Sequence, residues 1–274
     1  MAFDLNNFVI DRIVRGVALS QKDDSVLFSI NQIQNASLNC ASESTDAVDA
    51  MGTPIATFYR AKSAEFSAEN ALFDMNLMAT QLGTAKKVAS SGNKIIVPAM
   101  ESFAAPAKSG SPSVAVYTLK HNPKVFPKEI YALNGDSTFG DKYLIATGNN
   151  ATAGEKTFTC TTSNKTVNGA TVVVTDITLP TSLTEGTEMF VMYEYESEEA
   201  VEVINSAVNY PTGCKFIMEV LGCDVCDQTN LVYAYVIFNN AKLSPDFDWS
   251  IATDGSHPFS MKAQQDLNYR SLAA

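Results

Sequence analysis

A mainly β chain with one flanking α-helix and an inserted β-rich block is the fold that the sequence predicts. Three observations carry it. Most apolar residues alternate with polar ones at a period of two, as on strands with one buried face. The period lengthens to that of a helix once, between about residues 70 and 82. Residues 120–186 are written in short β-type runs between Gly, Asn and Thr turns, unlike the longer runs on either side.

The chain has 274 residues, 46% of them hydrophobic, enough for one large β domain or one domain with an insertion. Charged residues make up only 18%, yet the formal net charge is −11, so the charge is mostly acidic. Tight non-specific binding of a nucleic-acid backbone needs clustered Lys and Arg and is disfavoured. A surface that nucleic acid passes without sticking is compatible with this balance. The opening MAFDLNNFVIDRIVRG carries Asp4, Asp11 and Arg12 and no long apolar run, so it does not read as a secretory signal. No run approaches the roughly 20 apolar residues of a membrane span, and no membrane partner is expected.

In chain order, residues 1–20 read as an arm that packs elsewhere. Ser25–Asn31 and Gln32–Cys40 are short strands. The acidic stretch Ala41–Gly52, with Asp46 and Asp49, reads as a long exposed loop, either ordered by a partner or a mobile hairpin tip. From Thr57 the alternation of Phe58, Arg60, Lys62, Ala64 and Phe66 predicts a strand. The helix follows, with Leu72, Met75, Ala79 and Leu82 as its core-facing stripe. Ser67 or Asn70 is placed to cap its start and Gly83 to end it in a left-handed turn. Pro123 and Pro127 introduce the inserted block. This divides the chain into 1–119 and 187–274 as one β domain and 120–186 as the insertion. Beyond Thr187 the strands are long, and Leu231–Phe238, apolar on both faces, is expected to be buried on both sides. Trp249–Thr253 and Pro258–Ala263 predict a hairpin around Asp254-Gly255. Asp266–Ala274 reads as a second arm.

Catalytic signatures are missing from the sequence: it has no GxxxxGK[ST], GxGxxG, HExxH or GxSxG. His121 and His257 are far apart, each beside a turn-forming residue. Glu194 and Glu196 project from one strand face at about 6–7 Å, a spacing that a glycosidase pair could also show, but no aromatic sugar platform accompanies them. A solvated acidic face is the expectation. Five cysteines, Cys40, Cys160, Cys214, Cys223 and Cys226, are an odd number in a chain with no visible secretion route, against a disulfide framework. Cys223-Asp-Val-Cys226 raises zinc or redox chemistry, but it lacks a second ligand pair and a βαβ context. Reduced thiols on a turn are expected, and no metal or cofactor.

The order of parts carries one resemblance. Ile237-Phe238-Asn239-Asn240-Ala241-Lys242-Leu243 leads into a last hairpin with Pro258, Phe259, Ser260 and Ala263. A late strand ending in Asn240, Ala241 and Lys242, then a final strand with that second group, resembles the major tail tube proteins of long-tailed bacteriophages. The layout matches over roughly 25–100 and 187–266; the 120–186 block departs from the minimal pattern. The resemblance implies a β-sandwich or barrel-like subunit with one flanking helix. It implies rings, six copies each, stacked into a tube through which DNA passes without specific binding. It further implies a virion component made in the host bacterial cytoplasm, with sheath, tape measure or terminator proteins as partners. On that reading Glu194 and Glu196, with Asp46 and Asp49 as a second pair, are expected to line the lumen. The rival classes are a capsid decoration or head–tail joining protein, recognisable as a stable trimer or monomer, and a carbohydrate-binding β protein.

Overall fold

Pairing partners decide which β-prone runs become strands and where each one stops. The computed structural model describes residues 8–110, 113–147, 151–167, 170–225, 227–246, 248, 255–264 and 269–273; the side chains of 60, 61, 167, 170, 227 and 269–273 are not described. It is mainly β, with one helix among the described residues. The chain divides into a terminal unit, Met1–Lys87 with Val203–Ala274, and a central unit, Val88–Glu202.

The terminal unit opens with β1 (Phe8–Ser20), β2 (Val26–Ile30), β3 (Ile33–Val48) and β4 (Pro54–Asn70), followed by helix α1 (Met75–Gln81); the short β5 (Lys87–Val88) falls on the boundary with the central unit. The central unit holds β6 (Ile95–Ala104), β7 (Val116–Thr118), β8 (Glu129–Leu133), β9 (Phe139–Ile145), β10 (Thr157–Val167), β11 (Ala170–Thr178), β12 (Glu188–Ser197) and β13 (Val201–Glu202). The terminal unit then resumes with β14 (Gly213–Asp224), β15 (Asp227–Leu243), β16 (His257–Ala263) and β17 (Tyr269–Ala273).

The terminal sheet runs β2-β1-β14-β15-β16-β4-β3, with β17 also paired to β15. The predicted N-terminal arm is therefore an interior strand. β1 lies antiparallel on β14 from Phe8↔Asp224 to Ser20↔Cys214. The predicted C-terminal arm likewise contributes a strand, from Ala234↔Ala273 to Phe238↔Tyr269. The core is a group of phenylalanines drawn from five strands. Phe66 lies 5.6 Å from Phe216 and 6.1 Å from both Phe238 and Phe259, ring centre to ring centre, and Phe28 is 6.3 Å from Phe216. Each of these rings, once buried, is worth roughly 2–3 kcal/mol against exposure, and together they hold strands distant in sequence. β15 departs from the expected double burial: Phe238 is buried, but Leu231 is 50% and Tyr233 45% exposed. Ala234 and Val236 do pack on the core. The upstream half is thus an ordinary half-buried strand.

The helix forms later than expected and turns a different face inward. β4 is held in register to its end, where Asn70 pairs with both Ile33 and His257, so the chain is still extended at 70. Asp74 is the N-cap: its carboxylate accepts from Asn76 N at 2.8 Å and Leu77 N at 2.7 Å. That start, beyond Ser67 and Asn70, buries Leu77, Ala79 and Gln81, with Leu82 buried just after. Ala79 and Leu82 are therefore inside, whereas Leu72 (59% exposed) precedes the helix and Met75 (36% exposed) faces out. Gly83 does take the left-handed turn, at φ +64°. A β-carbon there would run into the Tyr210 carbonyl, so two demands select glycine.

In the central unit the sheet runs β6-β12-β8-β9-β10-β11-β7. Ile130, Phe158, Ile177, Leu179, Met189 and Val191 form its core. Its bounds are wider than the 120–186 read from texture, because β6 and β12 pair over ten positions, Ile95↔Ser197 to Ala104↔Glu188. β12 reads as a long strand of the flanking domain and is in fact a strand of the inserted unit. β5 pairs with β13 and joins the two ends of that unit.

Candidate functional site

The feature that a self-contained fold does not explain is the outer part of the β3–β4 hairpin. The two strands pair from Ile33↔Asn70 to Val48↔Pro54. Every β3 residue from Gln34 to Val48 is exposed, and so are the described side chains of 54–63. From about Ser42↔Lys62 to the turn, the two strands pair only with each other among the described residues. Its apolar residues are nonetheless large: Met51 is 92% exposed, Tyr59 74% and Ile55 71%. The expected acidic loop 41–52 is thus mostly strand, closed by a turn at 49–53. Asp49 builds that turn: its carboxylate accepts from Met51 N at 2.8 Å and Thr53 N at 2.9 Å, which holds it below the usual carboxylate range. Asp46 sits on β3 and accepts from Thr57 Oγ1 at 2.7 Å. Both carboxylates do local structural work at the hairpin's end.

Glu194 and Glu196 do share an exposed face of β12, as the two-residue spacing predicts. They lie in the central unit, apart in sequence and sheet from Asp46 and Asp49. Glu196 is paired with Lys124 Nζ at 3.3 Å, and Glu198 with Lys94 Nζ at 2.9 Å. The run is therefore partly neutralised. Beside Glu194, β8, β9 and β12 carry an open groove of about 660 Å³. Tyr131, Phe139 and Phe190 form its floor, with ring centres 4.9 and 5.1 Å apart in sequence along the row. Val125 (67% exposed) and Met192 (52% exposed) stand at its sides. This aromatic row is the feature that sequence reading missed. It assembles from three strands separated by up to 59 positions, so no local pattern in the sequence announces it.

Behind that face lies a buried carboxylate that also went unremarked. Glu101 is 3% exposed. Its Oε2 accepts from the Tyr117 hydroxyl at 2.8 Å, and its Oε1 accepts from Lys120 N at 3.0 Å and from the Tyr193 hydroxyl. Burial, reinforced by the carboxylate, pushes Tyr117 up to about 12 and raises Tyr193 as well. This network fixes the 117–121 segment on β6 and β12.

No disulfide joins the described thiols, with Cys40 exposed and Cys223 half-buried. Cys214 is buried and Cys160 half-buried, and burial raises their pKa values to about 11 and about 12. Cys226 lies outside the described residues, as does the Trp249–Thr253 side of the expected last hairpin. No group of three or more metal-ligating side chains forms among the described residues. No described helix is long and apolar enough to cross a membrane. His257 is buried where α1 meets β16, its Nε2 2.7 Å from Gln81 Oε1.

No curated protein matches the chain. A family model does, from residue 8 to residue 268, taking in the hairpin, the whole central unit and every strand of the terminal sheet except β17. By that match over nearly its entire length, the chain belongs to the YomU/Tube protein family.

Proposed function

We propose that this chain is a structural subunit of a phage tail tube, in which identical copies form rings, the rings stack, and DNA passes along the axis. Family membership supports the coarse part of this reading, a structural protein of a phage tube. The observation that carries the assembly is the bare β3–β4 hairpin. A two-stranded hairpin alone in water is marginal, and one displaying Met51, Ile55 and Tyr59 is an aggregation hazard for a monomer. Neighbouring copies that cover it convert the hazard into an interface. The acidic balance supports the rest: a tube wall rich in Lys and Arg would hold phosphates by counterion release, and an excess of carboxylates does not.

The reading implies no catalytic turnover. Sedimentation of the purified protein across a wide concentration range, with electron microscopy of the heaviest fraction, tests it. Concentration-dependent rings and tubes are expected. A protein that stays monomeric throughout and is missing from assembled particles overturns the proposal.

A further inference from the structure

We infer that the hairpin of one copy seats in the aromatic groove of the next copy's central unit, with the Ile55, Tyr59 and Lys62 face lying on Phe190, Met192 and Glu194. This rests on the tube reading and names the contact that would build it. The outer hairpin is an exposed apolar element that pairs with no further strand among the described residues; the groove is an apolar hollow with Phe139 59% and Met192 52% exposed. Both are uncovered in one chain, which is what a heterologous, propagating contact between identical subunits requires.

The pattern of side chains matches as well. Thr57 and Tyr59 share a face of β4, and Ile55 continues that side at the irregularity between Ala47↔Ala56 and Val48↔Pro54. Ser44 pairs with Tyr59 and Ser42 with Lys62; Ser42 and Ser44 are two apart, so across the irregularity at 60–62 Lys62 returns to the Tyr59 side. One step of roughly 6–7 Å therefore separates the aromatic residue from the cation. On β12 the same step separates Met192 from Glu194, with Phe190 one step further along the same exposed face. Apolar meets apolar and Lys62 meets Glu194. In this arrangement Glu194 is an interface carboxylate, while its neighbour Glu196 is already held by Lys124.

Charge reversal and rescue tests the pairing. Lys62→Glu and Glu194→Lys should each weaken assembly, read as at least a tenfold rise in the concentration at which tubes appear. The double variant should recover most of that loss. Single variants that assemble like wild type, or a double variant no better than the worse single one, overturn the docking. So does a Glu194→Lys tube that forms normally but ejects DNA slowly, which would place Glu194 on the passage. Mixing Tyr59→Cys copies with differently tagged Met192→Cys copies under a thiol cross-linker should link the two tags. A chain carrying both substitutions that links only to itself, with no gain in mass, rejects a second copy as the occupant. Wild-type tubes with no tag-to-tag link defeat the docking alone. A wild-type protein that never assembles defeats the tube reading with it.

Discussion

Each unit buries one polar cluster, and the two clusters are finished differently. In the central unit Glu101 has both oxygens occupied, and the Tyr193 hydroxyl that donates to it accepts in turn from His121 N at 3.0 Å. In the terminal unit His257 and Gln81 share a hydrogen bond, and His257 stacks on Phe73 with ring centres 5.5 Å apart, but Gln81 Nε2 and Asn70 Oδ1 are buried without a partner. A closed network specifies one arrangement of its strands; an open one leaves the cost of desolvation uncompensated. The difference places the weaker joint where α1 sits on the ends of β4 and β16, and the firmer one where β6 meets β12.

The comparison breaks first if α1 is not held by Leu77. That side chain is fully buried, so Leu77→Asp places a charge in the terminal core. A loss above about 4 kcal/mol is expected, read from the urea midpoint. Hydrogen exchange should show the opening in the terminal strands first. A variant that melts like wild type would detach the helix from the core.

Next in size is the closed network. Glu101→Ala strands two tyrosine hydroxyls and the Lys120 N–H, and about 3 kcal/mol should go from the central unit. Glu101→Gln keeps an acceptor oxygen, and the hydroxyls can turn to meet the amide, so about 1 kcal/mol is expected. Equal losses in the two variants would mean that the carboxylate's charge, rather than its connectivity, holds the segment.

The two clusters also predict opposite pH windows. Burial lowers the His257 pKa, so below the ordinary histidine value of about 6.5 the unfolded chain takes up a proton that the folded one resists. The terminal unit should lose stability as pH falls through that value. The negative charge of Asp74 works the other way and softens the effect. Tyr117 and Tyr193 are raised instead, so the folded central unit keeps protons that the unfolded chain releases above pH 10. Its stability should hold to about pH 10 and fall between there and about 12. Unit-resolved hydrogen exchange at pH 5.5 and pH 10.5 checks the assignment, and His257→Gln should flatten the acid limb.

What the sequence made legible follows from how local each signal is. Strand alternation and the Gly83 turn depend on neighbours in the chain and were readable. So was the shared face of Glu194 and Glu196. The two arms were not, because Phe8–Ser20 and Tyr269–Ala273 gain their strand character from partners some two hundred and some thirty-five residues away. The boundary of the inserted unit was missed for the same reason: β12 resembles the long terminal strands in length, and only its pairing with β6 assigns it. The aromatic groove and Glu101 are products of folding, with no motif that could announce them.

The smallest effect concerns the helix stripe itself. Helical spacing from residue 70 puts Leu72 and Met75 on the same side as Ala79 and Leu82, and counting alone cannot show that β4 stays paired through Asn70. The register to Ile33 and His257 settles it: the helix begins after Asp74, and Leu72 lies in the connecting turn at 59% exposure. Leu72→Asp therefore adds a charge that water already reaches, and it removes little apolar contact. A change within about 0.5 kcal/mol is expected, as for surface substitutions elsewhere, next to the large loss at Leu77. Paired melts of the two variants make the test sharp, since both introduce the same side chain five positions apart. If Leu72→Asp costs several kcal/mol, the helix starts near residue 70 after all, and the capping by Asp74 is not what sets its buried face.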